Sequence, residues 1–371
     1  MEKILIVGGG IIGMTSAYFL HRAGYHVTVI DSQSAPGRMT SNSNAMQLCY
    51  GTIAPWAGLA DVQKYAPSLL SSDKNSAVYV RQKFSLRFMK FLLLSGWTAL
   101  PPQARKMRET LFEMADQSRL EMAKFLRAHP DMDFHYKPHG KMRLYESAAA
   151  FTAEGARVRH MNEKYGMGVE ILDGGETYRR EPALKEKSQP IAVSTFSPID
   201  ASGDSGQLCL LLRDYMQAKG DFEYKGGFHL RHIPCKGGRI LGLESDKENI
   251  RADHYIVAAG AASANILADI GIDVPLIPIK GYALSLDNSP LEFNSCITDI
   301  SRKFALNSFG AGGGQLRLSG LMDFTGLDLS LDPARLDYLR RQITETFPVI
   351  NMDKAEARCG LHPVTGYSRP M

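Results

Sequence analysis

The sequence has little cysteine, no marked excess of either charge and no apolar run long enough to span a bilayer. Its five cysteines (Cys49, Cys209, Cys235, Cys296, Cys359) are scattered over 371 residues with no C-x-x-C pair. That spacing excludes a zinc ribbon or dense disulfide scaffold and suits a reducing compartment. Lys and Arg number 43 against 39 Asp and Glu, a net charge of +4 spread along the chain. Charge therefore gives no argument for a nucleic-acid partner, and none is expected. Internal repeats, low-complexity tracts, a serine nucleophile elbow and a kinase signature are all missing. Ile4–Leu20 is uncharged and mostly apolar, as a targeting segment would be. It carries Gly8, Gly9, Gly10 and Gly13, each costly inside a helix, and no small-x-small cleavage pattern. A cytoplasmic protein without a spanning helix is expected.

What is present is globular: 44% hydrophobic and 22% charged residues, on a chain too long for one ordinary domain. Lys3–Val7 reads as a strand buried on both faces. Gly8, Gly10 and Gly13 follow as G-x-G-x-x-G, then Met14–Gly24 as a helix and His26–Ile30 as a second strand ending at Asp31. The first glycine permits a tight turn, the second lets the backbone approach a pyrophosphate, and the third lets helix and strand pack closely. The amides at the helix start then face the phosphates. Asp31 stands where an acid would bond an adenosine ribose hydroxyl. The motif alone leaves NAD and FAD open. Ala252–Gly260, a strand ending in small residues before the helix-like Ala261–Ile270, favours FAD, whose folds return late to the same sheet.

Residues 32–60 form a polar, nearly helix-free stretch containing S-N-S-N-A and then A-P-W. A loop this long in a compact fold is usually functional. The glycine motif, this loop, Ile199–Gln207 (IDASGDSGQ), Pro278–Leu284 (PIKGYAL) and Cys359–Val364 (CGLHPV) occur in one order. Together they resemble the FAD-dependent D-amino-acid oxidase/dehydrogenase superfamily, and among its members the bacterial D-amino-acid dehydrogenases. The resemblance implies pyrophosphate and ribose contacts at Gly8, Gly10, Gly13 and Asp31. It implies a loop beside the ribityl chain and flavin at Ser41, Asn44 and Ala45, and positions near adenosine at Leu230, Ala258 and Gly260. Tyr282 matches a strand facing the substrate cavity.

Three departures accompany the resemblance. Where these enzymes carry G-L-R-P, with Arg expected on the substrate carboxylate, the chain has Gly360-Leu361-His362-Pro363. Met46 stands where the family often has glycine beside the flavin. The strand, turn and helix expected to follow, with a helix N-terminus at the flavin ring, do not precede the end at Met371, so a truncated chain is expected.

Elsewhere, Arg81–Leu94 with Ser95–Trp97 reads as a substrate-domain helix, with peripheral membrane contact as the alternative. Lys106–Ala128 and Gly203–Lys219 read as amphipathic helices, the second with Asp204 and Ser205 as cap candidates, Phe228–Ile233 as a strand, and the glycines of 310–314 as a hairpin turn. His229 and His232, three apart on that strand, would point to opposite faces, so no metal site is expected.

The expected fold is α/β: a doubly wound, Rossmann-like FAD domain (1–60, 195–275 and 355–371) interleaved with a mixed-sheet α+β substrate domain (61–194 and 276–354). The resemblance implies FAD-dependent oxidation of a D-amino acid to an imino acid, with hydride passing to the flavin. Tyr282 and His362 are the expected substrate contacts, no dedicated catalytic base is needed, and a quinone or other electron-transfer partner takes the electrons. A sarcosine- or glycine-type oxidase and a non-catalytic flavin-binding subunit are the alternatives.

Overall fold

The computed structural model describes residues 1–55, 73–81, 85–246, 248–310, 312 and 314–367. Trp56 of the A-P-W motif, Phe84 and the last four residues lie outside them, as do 61–72 of the expected substrate domain.

The N-terminal strand β1 (Lys3–Val7), helix α1 (Ile11–Arg22) and strand β2 (His26–Asp31) form where the sequence predicts, except that the helix starts at Ile11 and takes in Gly13, where a start at Met14 was expected. β1 has every residue after Lys3 buried, as expected of a strand covered on both sides. It sits inside a four-stranded sheet in the order His254–Val257, β1, β2, Phe222–Gly226, and every pairing is parallel. Helix Ser205–Lys219 packs beside α1 on one face, closing an apolar core through Met14, Ala17, Leu208 and Leu212. Its N-cap is Asp204, which accepts from the Gln207 amide, a common way to satisfy a first-turn donor. The expected strand at Phe228–Ile233 is not one. The preceding segment, Phe222–Gly226, pairs with β2, and Phe228, Leu230 and Ile233 pack into the cluster around Leu5 and Val7.

The second sheet is mixed and larger. Its main path runs Glu356–Thr365, Leu276–Asp287, Gln315–Phe324, Phe304–Phe309, Cys296–Asp299, Lys141–Tyr145, Val193–Ser197, Glu170–Asp173, with Val78–Val80 added beside Gln315–Phe324. The glycines at 310, 312 and 314 lie in the turn between two antiparallel strands of this sheet, as expected. Alternation divides the sheet faces. Leu284, Leu306, Leu316 and Leu318 are buried together with Leu336, Leu339 and Ile343 of helix Pro333–Thr346. The other face carries Gly281, Ser285, Asn307, Arg317, Gly360 and His362. Glu356–Thr365 pairs with Leu276–Asp287 over ten consecutive residues. By hydrogen bonding, then, 356–365 belongs to the mixed sheet and not to the parallel one, and so does Val193–Ser197, whose last residues were expected in the dinucleotide domain.

Candidate functional site

The glycine loop lies at the C-terminal end of β1, where ligands bind in open α/β sheets. Gly8 has φ +113°, and a Cβ there would sit 2.4 Å from the Ala258 carbonyl oxygen. Ala258, in turn, donates from its amide to the Val7 carbonyl at 2.8 Å. The two expected segments therefore meet, with Gly260 (φ +56°) opening the next turn. A Cβ on Gly13 would lie 1.8 Å from the Gly8 carbonyl oxygen, so this glycine is needed for strand and helix to touch. Gly10 differs. It is the N-cap of α1 with extended backbone, and a Cβ would meet only Ser41 Oγ, at 3.4 Å. Asp31 accepts from the Gly9 amide at 2.5 Å and the Gln33 amide at 2.7 Å, placing its carboxylate at the mouth of the loop.

The S-N-S-N-A loop lies against the helix start. Ser41 Oγ accepts from the Ile11 amide at 2.9 Å. Asn44 Nδ2 donates to the Ser41 carbonyl and to Ser205 Oγ, and Ser205 donates to the Ser41 carbonyl at 2.7 Å. Ala45 and Met46 are buried. Met46 holds φ +58°, a conformation that glycine adopts freely and that costs another residue about 1–2 kcal/mol. Two hydrogen bonds fix it: its amide donates to Asn44 Oδ1 and its carbonyl accepts from the Gly203 amide. The methionine thus holds a backbone shape that glycine would adopt without strain. Ser205 was expected only as a helix-cap candidate and Gly203 only as the start of that helix; their contacts with the loop were not foreseen, although both lie within the IDASGDSGQ motif.

The loop also touches the mixed sheet. Thr40 Oγ1 donates to the Leu361 carbonyl and accepts from its amide. A Cβ on Gly360 would be 3.0 Å from Thr40 Cα. Gly360 pairs with Gly281, and a Cβ on Gly281 would be 3.3 Å from His362 Nε2. Paired glycines leave a strip of sheet without side chains beneath the loop, bordered by His362.

The two expected substrate contacts fare differently. His362 is exposed on the open face, yet the protein packed around it disfavours the charged ring and pushes its pKa down. From an ordinary value of about 6.5, a downward shift leaves the imidazole neutral at pH 7 and above. Tyr282 points to the opposite face, fully buried, and donates from its hydroxyl to Asp323 at 3.1 Å. Asp323 is also held by Arg335. The Tyr282 side chain is committed to the core, and its neighbour Gly281 is the residue beside His362. Arg317 and Arg358 are cations on the open face near this strip. Arg317 is buried, donates to Ser285 Oγ at 3.1 Å and lies 3.7 Å from Asp204; burial lowers its pKa.

Residues 3–371 match the family described as DAO, FAD dependent oxidoreductase. The chain belongs to that family. A D-amino acid dehydrogenase of Allorhizobium ampelinum is 30% identical over all of this chain and 86% of its own length. D-amino acid dehydrogenase 2 of Ralstonia nicotianae is 31% identical over 93% of this chain and 81% of its own. Among solved structures, glycine oxidase from Bacillus cereus aligns over all of this chain and 85% of its own with a TM-score of 0.70 at 18% identity. L-proline dehydrogenase from P. horikoshii aligns over 98% of this chain and 82% of its own, with a TM-score of 0.65 at 16% identity. These structures share the fold. FAD is the family's cofactor, and the loop fits it: Gly10 leaves open the side from which a pyrophosphate must approach, and Asp31 stands at the mouth.

Proposed function

We propose that the chain oxidises D-amino acids to imino acids, which hydrolyse to 2-oxo acids and ammonia. The observation that carries this reading is the full-length similarity to D-amino acid dehydrogenases, combined with a glycine-lined strip beneath the Thr40–Ala45 loop. Bound FAD would supply the hydride acceptor. Gly8, Gly10 and Gly13 hold its pyrophosphate, Asp31 its adenosine ribose, and Leu230, Ala258 and Gly260 border its adenosine half. Ser41, Asn44 and Ala45 line its ribityl chain and ring. His362 borders the substrate and, being neutral, offers a single hydrogen bond. The chain's task is to hold the α-carbon hydrogen towards the cofactor and exclude other orientations.

Electrons pass to a quinone-type acceptor in this reading, at the inner membrane face. The support is helix Leu86–Thr98, whose Leu86, Met89, Leu93 and Trp97 are exposed at intervals of three and four residues, with Arg87 and Lys90 beside them. Such a stripe suits insertion at the interface of an anionic bilayer. Among the described residues, no helix is long and apolar enough to cross a membrane. Turnover of D-alanine, D-proline and sarcosine with an artificial dye and with oxygen tests the assignment. Dye-linked oxidation of a D-amino acid without peroxide supports it; peroxide release, or activity confined to sarcosine, refutes it.

A further inference from the structure

Away from the glycine strip, three guanidinium groups gather round one carboxylate. Arg143 projects from strand Lys141–Tyr145, and Arg157 from helix Ala148–Tyr165. Both bond Glu154: Arg143 Nη1 at 2.6 Å, and Arg157 through Nη2 at 2.5 Å and Nε at 2.7 Å. Arg108, on helix Pro101–Ala128, is close enough to be repelled by Arg157 and attracted by Glu154 and by the adjacent Glu109. The other nearby carboxylates are occupied. Glu109 pairs with Lys164 at 2.8 Å, and Asp200 accepts from the Tyr50 and Gly51 amides and the Thr52 hydroxyl. Asp200 keeps its charge, because its donors are neutral, and attracts Arg157, so three guanidinium charges face two carboxylates and one positive charge is left over.

The hydrogen bonding is incomplete in the same place. Arg157 is more than nine-tenths buried, and its Nη1 has no partner among the described residues. Arg108 Nε and Thr195 Oγ1 are likewise buried and unpartnered. Thr195 is the ladder partner of Arg143, so its side chain shares that face. Burial of unmatched charged donors is costly. We propose that Arg108, Arg143 and Arg157 bind a compact oxyanion of the inorganic phosphate or sulfate class between the two helices and the sheet. Such an anion neutralises the surplus charge, and its oxygens accept from Arg108 Nε and Arg157 Nη1; guanidinium groups match oxyanions in planar geometry. Burial alone would raise the Glu154 pKa, but Arg157 and Arg143 override it and hold it down at about 2, so the carboxylate keeps its charge and does not itself free a donor. The site is distinct from the glycine strip: four strands separate Lys141–Tyr145 from Glu356–Thr365, roughly 24 Å of sheet.

Equilibrium dialysis against inorganic phosphate, with the protein saturated in FAD so that the glycine loop is filled, tests this. Thermal unfolding in phosphate and in chloride at matched ionic strength runs alongside. About one phosphate per chain is expected, with a saturable rise in Tm, and Arg108→Gln should weaken binding about tenfold or more. Arg108→Lys, which keeps the charge but loses Nε, gives the same comparison should the glutamine variant not fold. No phosphate bound, or binding unchanged in these variants, overturns the proposal; sulfate in place of phosphate should compete.

Discussion

Gly10 and Gly13 are both glycines of one motif, yet the geometry gives them opposite failures. A methyl group on Gly13 would sit 1.8 Å from the Gly8 carbonyl oxygen, so Gly13→Ala must push α1 away from the loop. Overpacking of this kind costs about 1–3 kcal/mol. Gly10 has φ −75° and ψ −179°, open to any residue, and its nearest neighbour would be Ser41 Oγ at 3.4 Å. Gly10→Ala should therefore leave the apoprotein as stable as before, or stabilise it by about 0.4–1 kcal/mol through a less flexible unfolded chain. Its methyl group would occupy the pyrophosphate's approach. Losing one charge-assisted hydrogen bond costs about 1.5–3 kcal/mol, on the order of tenfold to a hundredfold in affinity. Urea unfolding of the apoproteins and FAD titration by flavin fluorescence separate the two effects. A Gly10→Ala protein that binds FAD as the parent does, or a Gly13→Ala protein with an unchanged unfolding midpoint, would refute the reasoning.

His362→Arg should lower KM for D-alanine about tenfold to a hundredfold, and by a constant factor from pH 7 to 9, because the depressed imidazole is neutral throughout that range; a KM unchanged at every pH would remove His362 from the substrate. The same depression means that the unfolded chain takes up a proton which the folded chain resists. His362 should therefore lower stability as pH falls below about 6.5 and have no effect above it, which a comparison of unfolding midpoints for the parent and His362→Gln from pH 5 to 8 will check. Leu93→Glu should abolish co-sedimentation with anionic vesicles while leaving Tm unchanged, whereas Phe91→Glu, at a fully buried position, should unfold the protein. Arg335→Met leaves Asp323 buried beside Tyr282 without its ion pair, and should cost about 3–5 kcal/mol in urea unfolding.

The first strand, helix and second strand were legible because two periodicities meet at a glycine motif with little freedom of geometry. Asp204 was legible as a helix cap for the same reason: capping is local. Pairing between distant segments was not. Nothing in Phe222–Gly226 distinguishes it from Phe228–Ile233 until its register with β2 is seen, and the ladder joining Glu356–Thr365 to Leu276–Asp287 links residues some eighty positions apart. Side-chain direction was the other blind spot. Gly281 and Tyr282 necessarily face opposite ways, but the K-G-Y motif alone does not say which of them faces the open side. Arg317 and the Arg108, Arg143 and Arg157 cluster carried no sequence signal, since their significance lies in burial and missing partners.

The most direct measurement is flavin absorbance of the FAD-loaded protein, without oxygen, on addition of D-alanine and then, separately, L-alanine. Loss of the oxidised flavin band with the D-isomer alone is the predicted result. A spectrum unchanged by D-alanine and the other D-amino acids, in protein that has bound FAD, would contradict it.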